Sequence, residues 1–387
     1  MRRGFEPRVP LLVRLFSKQV LSATQAPHHS KNANSCGVQI YKNYVKISVR
    51  FILFNERFNA LFLISFDSTK LTQHMIVRFS KNPIVQVIGI TYWNIWYILL
   101  FALVATVAYL LCHVYDYHFL EIDAVPVSIL GGALAIFLGF KNSSAYDRWW
   151  EARKIWGAVV NDSRSIAMEF ITYGIPKKGE EDEHDAWRRR TIYRHIGWVH
   201  ALRSHLRKEP FCGELKNYIS KEELEDLKDV SNVPAQLVVN QGKDIMYALE
   251  RGWIDEFRHK SLMETNKKMY DNQGKAERIK NTIFPYYYNY FTGFFLLLFT
   301  ASLPFALAHT IHNWGMILIS IAISFAFTIL HKAGQLTETP FEGRAADTPM
   351  STIASGIEID LRQMLREENI PQPPADKIGK FGVLFKS

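Results

Sequence analysis

Residues 124–140 read AVPVSILGGALAIFLGF and contain no Lys, Arg, Asp or Glu. The hydrocarbon core of a bilayer is about 30 Å thick, and a helix needs about 20 apolar residues to cross it. A charge at the centre of such a helix would cost about 2.5–3.5 kcal/mol on an insertion scale. The stretch therefore predicts a membrane-spanning helix.

Three further apolar stretches, near residues 93–112, 287–308 and 314–330, also lack charged residues at their centres. Four buried helices of a soluble protein are the alternative, but four separate runs of this length favour a membrane protein. The polar residues 141–286 separate the spans into two hairpins, and their apolar spacing predicts helices. The predicted fold class is all-α, an integral membrane protein with four transmembrane helices per subunit and a large helical cytosolic region.

Charges beside the spans predict their orientation, because cytoplasmic loops are enriched in Lys and Arg. The loop after the first span carries Asp116, Glu121 and Asp123 but no Lys or Arg, and residues 308–313 carry no formal charge. Lys and Arg precede the first and third spans and follow the second and fourth. We therefore expect a multi-pass protein of the cell membrane, with both short loops outside and both termini in the cytoplasm.

The formal charge of +9 belongs to the N-terminal residues 1–74, which hold 11 of the 46 basic residues and 3 of the 37 acidic ones. The other 35 basic and 34 acidic residues nearly balance, so we predict no nucleic-acid partner. Residues 1–74 fit either a targeting peptide or a non-native or disordered extension ahead of a start at Met75, and we favour the second interpretation. Three scattered cysteines support neither a disulfide framework nor a zinc site.

Gly132, Ile136 and Phe140 are spaced i, i+4, i+8 and so share one helix face. If several copies surrounded an axis, this face would build stacked apolar rings, and such constrictions gate channels by dewetting. Small residues in the same span also permit close helix packing, so an ordinary packed or lipid-facing helix is the alternative from spacing alone.

The stretch from Ile136 to Arg153, IFLGFKNSSAYDRWWEAR, resembles the signature of the bestrophin family, especially its bacterial members. The resemblance runs from about residue 75 to about residue 370. Its further motifs follow in the family's order: WG at 156–157, NDSR at 161–164, NT at 281–282, FP at 284–285, LPFAL at 303–307, TPFE at 339–342 and IEIDL at 357–361.

The resemblance implies a pentameric ion channel with a single axial pore, formed by residues 75–370 and followed by a C-terminal tail at 371–387. It implies a hydrophobic pore neck at Gly132, Ile136 and Phe140, where the first position usually bears a larger side chain, and a cytosolic aperture near Phe257. Family members most often conduct chloride and other anions, whereas some bacterial members pass sodium or potassium. The expected partners are permeant inorganic ions, the lipid bilayer and further copies of the chain.

A membrane-bound enzyme or a non-conducting scaffold is the remaining alternative. The sequence has no Walker loop, GxGxxG or HExxH motif, so we predict that the protein is not an enzyme and needs no cofactor. His195, His200 and His205 spread around a helix, which argues against a metal site. Animal bestrophins bind calcium at an acidic run after a Pro-Phe pair; here that segment offers only Glu342 and Asp347, so we predict no such clasp.

Overall fold

The structure is a computed structural model. It describes residues 77–78, 89, 91–282, 285–344, 346–375, 377–378 and 384–385. The N-terminal residues 1–74, for which the sequence leaves two interpretations, lie outside the described residues. The regular elements are mostly helical, with bounds α1 Ile95–Tyr109, α2 Ala124–Tyr173, α3 Glu181–Arg207, α4 Cys212–Leu215, α5 Lys221–Asp226, α6 Val233–Glu250, α7 Glu256–Asn281, α8 Tyr286–Thr310, α9 Gly315–Thr337 and α10 Met350–Met364.

Three two-residue strands form a small antiparallel sheet in the order β1–β3–β2. Strand β1 is Val77–Arg78, β2 is Lys377–Ile378 and β3 is Leu384–Phe385. The central strand β3 pairs with both of the others, so this sheet joins a segment ahead of α1 to the C-terminal tail. The helical fold class predicted from the sequence is confirmed, with this small sheet as an addition.

Within the described residues, four helices are long and apolar enough to cross a membrane: Ile95–Val114, His118–Tyr173, Tyr287–Thr310 and Gly315–Thr337. They correspond to the four predicted spans, although the fourth helix extends well past residue 330. The first span continues from α1 into a π-helical turn, Leu110–Val114. A 3-10 turn, His118–Leu120, follows in the connection to α2.

Helix α2 is the longest element, with 50 residues. At 1.5 Å per residue it is about 75 Å long, more than twice the thickness of a bilayer core. The side chain of Asp123 caps its first turn by accepting a hydrogen bond from the amide of Val125 at 3.0 Å. The apolar run ends at Phe140, but the helix does not, because no proline interrupts the polar sequence up to Tyr173. The single continuous helix α2 therefore belongs to both the membrane part and the polar helical part.

The hydrophobic core has separate parts in the two regions. In the polar region α2, α3, α6, α7 and α10 enclose a large core that includes Trp156, Trp187, Trp198 and Trp253. Among the apolar helices, Leu134 and Leu138 of α2 pack with Leu296 and Phe299 of α8. A third cluster joins the end of the first span to Ala308 and Met316. Burial of these side chains fixes which face of α2 remains uncovered.

Candidate ion pathway

The uncovered face of α2 carries the residues that the sequence proposes as a pore neck. The side chains of Ile136 and Phe140 are 65% and 66% exposed in the protomer. Gly132 lies on the same exposed face, and a Cβ added there would meet nothing within 4 Å. By contrast, Leu134 and Leu138 on the opposite face are buried against α8. The helix thus presents an apolar face that the described part of its own chain leaves uncovered.

Close packing holds the covered face of α2 on α8. A Cβ added to Gly131 would lie 2.7 Å from Cε2 of Phe299, a separation that real Cβ contacts do not reach. Phe299 is itself buried. Gly131 therefore allows the two helices to approach, whereas the neighbouring Gly132 faces open space. The two adjacent glycines have different environments, which fixes the rotation of α2 about its axis.

Phe257, the candidate aperture residue, is the second residue of α7 and is 87% exposed. The preceding Asp255 caps the helix by accepting a hydrogen bond from the amide of Arg258 at 2.8 Å. Helix α7 packs along α2 in the polar region. The described residues leave this large ring at the start of α7 uncovered, so it is an exposed apolar group like those of the proposed neck.

Below the neck, Arg148 of α2 binds the ends of two other helices. Its guanidinium donates hydrogen bonds to the carbonyl oxygens of Ile279 at 2.7 Å and Thr282 at 2.5 Å, at the end of α7. It also donates to the carbonyl oxygen of Glu338 at 3.1 Å, at the end of α9. These carbonyls have no intrahelical partner, and cations at helix C-termini are favoured by the helix dipole. The arginine therefore joins three helices at one point.

The segment after α9 is tied to the same junction. Nε1 of Trp149 donates to the carbonyl oxygen of Ala346 at 2.9 Å. Lys280 donates to Glu342 at 2.8 Å, and Asp347 accepts from the main-chain amide of Arg344 at 3.0 Å. Burial raises the pKa of the Asp347 carboxyl. Both acids of this segment are thus engaged within the chain rather than paired with each other around an ion.

The acidic loop between the first two spans is also engaged. Glu121 lies 2.8 Å from Nδ1 of His118, and Asp123 caps α2 as described above. Asp116 is exposed and adopts a positive φ of 54°. Two of the three acids that the sequence places in this loop therefore have structural partners.

The three regularly spaced histidines do not converge. Nε2 of His195 lies 2.9 Å from Oγ of Ser163, whereas His200 lies 3.2 Å from Glu358. His205 lies 3.4 Å from Glu277. Over the part of the chain that the structure describes, no group of three His, Cys, Asp or Glu side chains could hold a metal ion.

Sequence reasoning missed the roles of Lys141 and Arg148. It counted both residues among the basic charges that follow the second span. In the structure Lys141 is completely buried, and Arg148 donates to main-chain carbonyls instead. The signal for Lys141 was its position in the series 134, 138, 141 and 145, which follows the buried face of α2. The carbonyl partners of Arg148 lie more than 130 residues away in sequence, so no local signal marked them.

Comparison with known proteins identifies the family of this chain. A family model described as bacterial/fungal bestrophin protein matches residues 75–363. The voltage-dependent anion channel-forming protein YneE of Salmonella typhi is 33% identical over 252 residues, covering 65% of this chain and 80% of the relative. YneE of Escherichia coli K12 is 33% identical over 253 residues, with the same coverage of both chains.

A solved structure gives the same result. The crystal structure of a bacterial bestrophin homologue from Klebsiella pneumoniae aligns with a TM-score of 0.66 and 25% sequence identity, covering 71% of this chain and 99% of that chain. The relatives named above are channel-forming proteins, which agrees with the prediction of a multi-pass membrane channel rather than an enzyme. This chain belongs to the bestrophin family, in the group that its bacterial and fungal members define.

Proposed function

We propose that this protein assembles as a pentamer around an axial pore and passively conducts small inorganic anions such as chloride. The observation that carries the proposal is the uncovered apolar face of α2, on which Ile136 and Phe140 are both about two-thirds exposed. An exposed apolar face of this kind needs lipid or another protein surface to cover it. The named relatives in this family form anion channels. A ring of these faces around an axis would account both for the uncovered apolar face and for an ion pathway.

The neck would control conduction by excluding water from an apolar constriction rather than by placing charged side chains in the pathway. Copies of Ile136 and Phe140 around the axis form stacked apolar rings that hold water and ions poorly until they widen. The edge of an aromatic ring is electropositive, so Phe140 presented edge-on favours an anion. Gly132 adds no side chain, which makes the proposed neck widest at that level. The gate would therefore consist of two effective rings.

The proposed aperture lies at Phe257, in the polar region. Its exposed ring at the start of α7 supports a second apolar constriction on the same axis. The proposed orientation puts this region, with both termini, in the cytoplasm of a cell whose plasma membrane holds the four spans, because Lys and Arg flank that side. The two constrictions would then follow each other along the pathway, with the polar helical region between them.

A cation pathway is the second candidate, favoured by the acidic loop that carries Asp116, Glu121 and Asp123. Clustered acids at a channel mouth raise the local concentration of cations. Two of these acids already bind within the chain, Glu121 with His118 and Asp123 with the first turn of α2. Only Asp116 has no such role in the contacts described above, so the acidic loop supports cation conduction weakly.

The proposal is tested by ion efflux from liposomes that contain the purified protein. Ile136→Ala and Phe140→Ala remove apolar bulk from the proposed neck, so each should raise chloride efflux at equal protein density. Leu103→Ala on α1 is the matched control, because Leu103 is an exposed apolar residue on a different membrane helix. Unchanged efflux from correctly assembled neck variants would reject the neck, and a parent protein without efflux would reject the channel.

A further inference from the structure

A completely buried lysine lies directly after the proposed neck. Lys141 follows Phe140 in α2 and has 0% relative exposure. Its Nζ makes no hydrogen bond to another group within the described residues. A charged amine removed from water without acceptors is strongly unfavourable, so a charged Lys141 requires compensation from its surroundings. The residues around it show what kind of compensation is available.

Two ionisable side chains of the α9 segment act on Lys141 electrostatically. Glu338, which follows the last residue of α9, attracts the amine, and His331 of α9 is influenced by its charge. Both side chains are buried. Glu338 is the only acid that acts on Lys141 among the described groups, yet the amine and the carboxylate make no direct hydrogen bond. The two charges therefore attract each other without a direct hydrogen bond.

Three helices, α2, α8 and α9, carry buried hydrogen-bond acceptors that have no partner among the described residues. Oδ1 of Asn142 on α2, Oδ1 of Asn289 on α8 and Nδ1 of His331 on α9 are buried without a partner. The amide nitrogens are already engaged: Nδ2 of Asn142 donates to the carbonyl of Leu330 at 3.1 Å, and Nδ2 of Asn289 lies 3.5 Å from the Glu338 carboxylate. The groups that remain are the Lys141 amine, which can donate three hydrogen bonds, and the three unpartnered acceptor atoms.

We propose that Lys141 and Glu338 form a buried ion pair bridged by internal water. A water molecule accepts a hydrogen bond from the amine and donates to the unused oxygen and nitrogen atoms, which matches the donors and acceptors that remain. A bound anion would satisfy the amine but would leave those acceptors unmatched and would face the Glu338 carboxylate. The chemistry of the cluster therefore selects water as its ligand.

The pair has a positioning role for the neck, a step that rests on the proposed function. Lys141 is adjacent to Phe140 on α2, and Glu338 is at the end of α9, so the pair holds these two helices together at the level where the apolar run ends. The side-chain amide of Asn142 reinforces the same contact through Leu330 of α9. The separation of α2 and α9 at this level would set how far Phe140 can retreat from the pore axis.

A double-mutant cycle tests the pair by thermal unfolding of the assembled protein in detergent. Lys141→Met leaves the buried Glu338 carboxylate without the amine, although the charge of Arg148 still acts on it, and Glu338→Gln leaves the buried amine without its acid. Each variant should lower the Tm by about 5 °C or more. The combined variant carries neither charge and should unfold within about 2 °C of the parent. Where a single variant fails to assemble, assembly of the combined variant supports the pair. The ion pair is overturned if a single variant keeps the parental Tm, or if the combined variant loses as much Tm as the two single variants together.

The control cycle uses a surface pair on the same helix. Lys154 and Glu151 lie 2.5 Å apart, and both are substantially exposed. Lys154→Met and Glu151→Gln should each shift the Tm by about 1 °C at most, because exposed pairs contribute little. Losses as large as those at Lys141 would show that charge removal anywhere on α2 is harmful, which would overturn the specific pairing.

A second measurement separates water from an anion. Replacing chloride by gluconate at constant ionic strength should leave the Tm of the parent unchanged. A fall in the Tm that is present in the parent and absent in Lys141→Met would identify a bound anion and overturn the water bridge.

Chloride efflux tests the positioning role: the single variants should change efflux, and the combined variant should reverse the change. Parental efflux in the single variants would reject that role, whereas a parent without efflux would reject the channel and leave the thermal cycle to decide the pair.

Discussion

Nε of Arg148 donates a hydrogen bond to the main-chain carbonyl oxygen of Glu338 at 3.1 Å, across 190 residues of sequence. The same guanidinium also binds the C-terminal end of α7, so the helix that carries the proposed neck is joined to a membrane helix and to a helix of the polar region. This junction therefore joins α2, which carries the proposed neck, directly to α7, which carries the proposed aperture residue.

Removal of the Arg148 side-chain charge should therefore loosen the junction. Arg148→Gln leaves carbonyl oxygens of two helix ends without a charged donor, and we expect a loss of about 3 kcal/mol in the free energy of unfolding. Arg148→Lys should lose less, because one ammonium can still satisfy part of the set. Thermal unfolding and the yield of assembled protein measure both effects.

Arg164→Gln is the control for these variants. Arg164 lies on the same helix and pairs with Asp360 in a largely exposed position, so its loss should cost less than about 1 kcal/mol. Equal losses at positions 148 and 164 would contradict the special role of the junction.

The adjacent glycines of α2 make a second prediction. Gly131→Ala places a methyl group against the buried ring of Phe299 and should destabilise the protein by about 1–3 kcal/mol. Gly139→Ala meets nothing within 4 Å in the protomer and should be neutral or stabilising by up to about 1 kcal/mol, since glycine weakens a helix interior. Thermal unfolding that ranked the two variants in the opposite order would show that the rotation of α2 is wrong.

The buried His195 predicts how stability depends on pH. Burial lowers the pKa of His195 to about 3, so the ring is neutral at pH 7, whereas the unfolded chain titrates near 6.5. Because the folded pKa is the lower one, the contribution is fully present above pH 6.5. It is lost as pH falls towards 3, at about 1.4 kcal/mol per pH unit. Acid should therefore destabilise the folded protein through this residue.

His195→Gln isolates this contribution. The variant cannot gain a proton at position 195, so its stability should fall less between pH 7.5 and pH 5 than that of the parent. Part of the acid sensitivity should persist, because burial also lowers the pKa of His184. A parent and a variant with identical pH profiles would contradict a buried neutral His195.

Calcium should not control the channel. Glu342 binds Lys280, and Asp347 accepts a hydrogen bond from the amide of Arg344, so the two acids after α9 are already engaged. Calcium needs several oxygen ligands, typically 6–8. We expect chloride efflux to be the same with micromolar calcium and with excess chelator. Activation by micromolar calcium would refute this expectation.

Much of the fold follows from the sequence, because a helix that crosses lipid needs a long apolar run and such a run can be recognised in the amino-acid sequence. The limits of the runs do not determine the limits of the helices. The sequence divides the second span from the polar region after Phe140, whereas α2 continues to Tyr173 without a break. Hydropathy detects a change of solvent, and residues 141–173 contain no proline that would end the helix.

The candidate site is less accessible to sequence reasoning. The spacing of Ile136 and Phe140 places them on one face, but only the packing of Leu138 and Gly131 against α8 shows that this face is the uncovered one. The partners of Arg148 arise from three segments that meet only after folding. Charge counts beside the spans predict orientation, yet they do not distinguish a solvated lysine from the buried Lys141.

The most direct test of the account is the reversal potential of the purified protein in a planar bilayer that separates two concentrations of potassium chloride. An anion channel predicts a reversal potential near the equilibrium potential of chloride, with larger currents in Phe140→Ala. A reversal potential near that of potassium would contradict anion conduction, and a bilayer without current from assembled protein would contradict the channel itself.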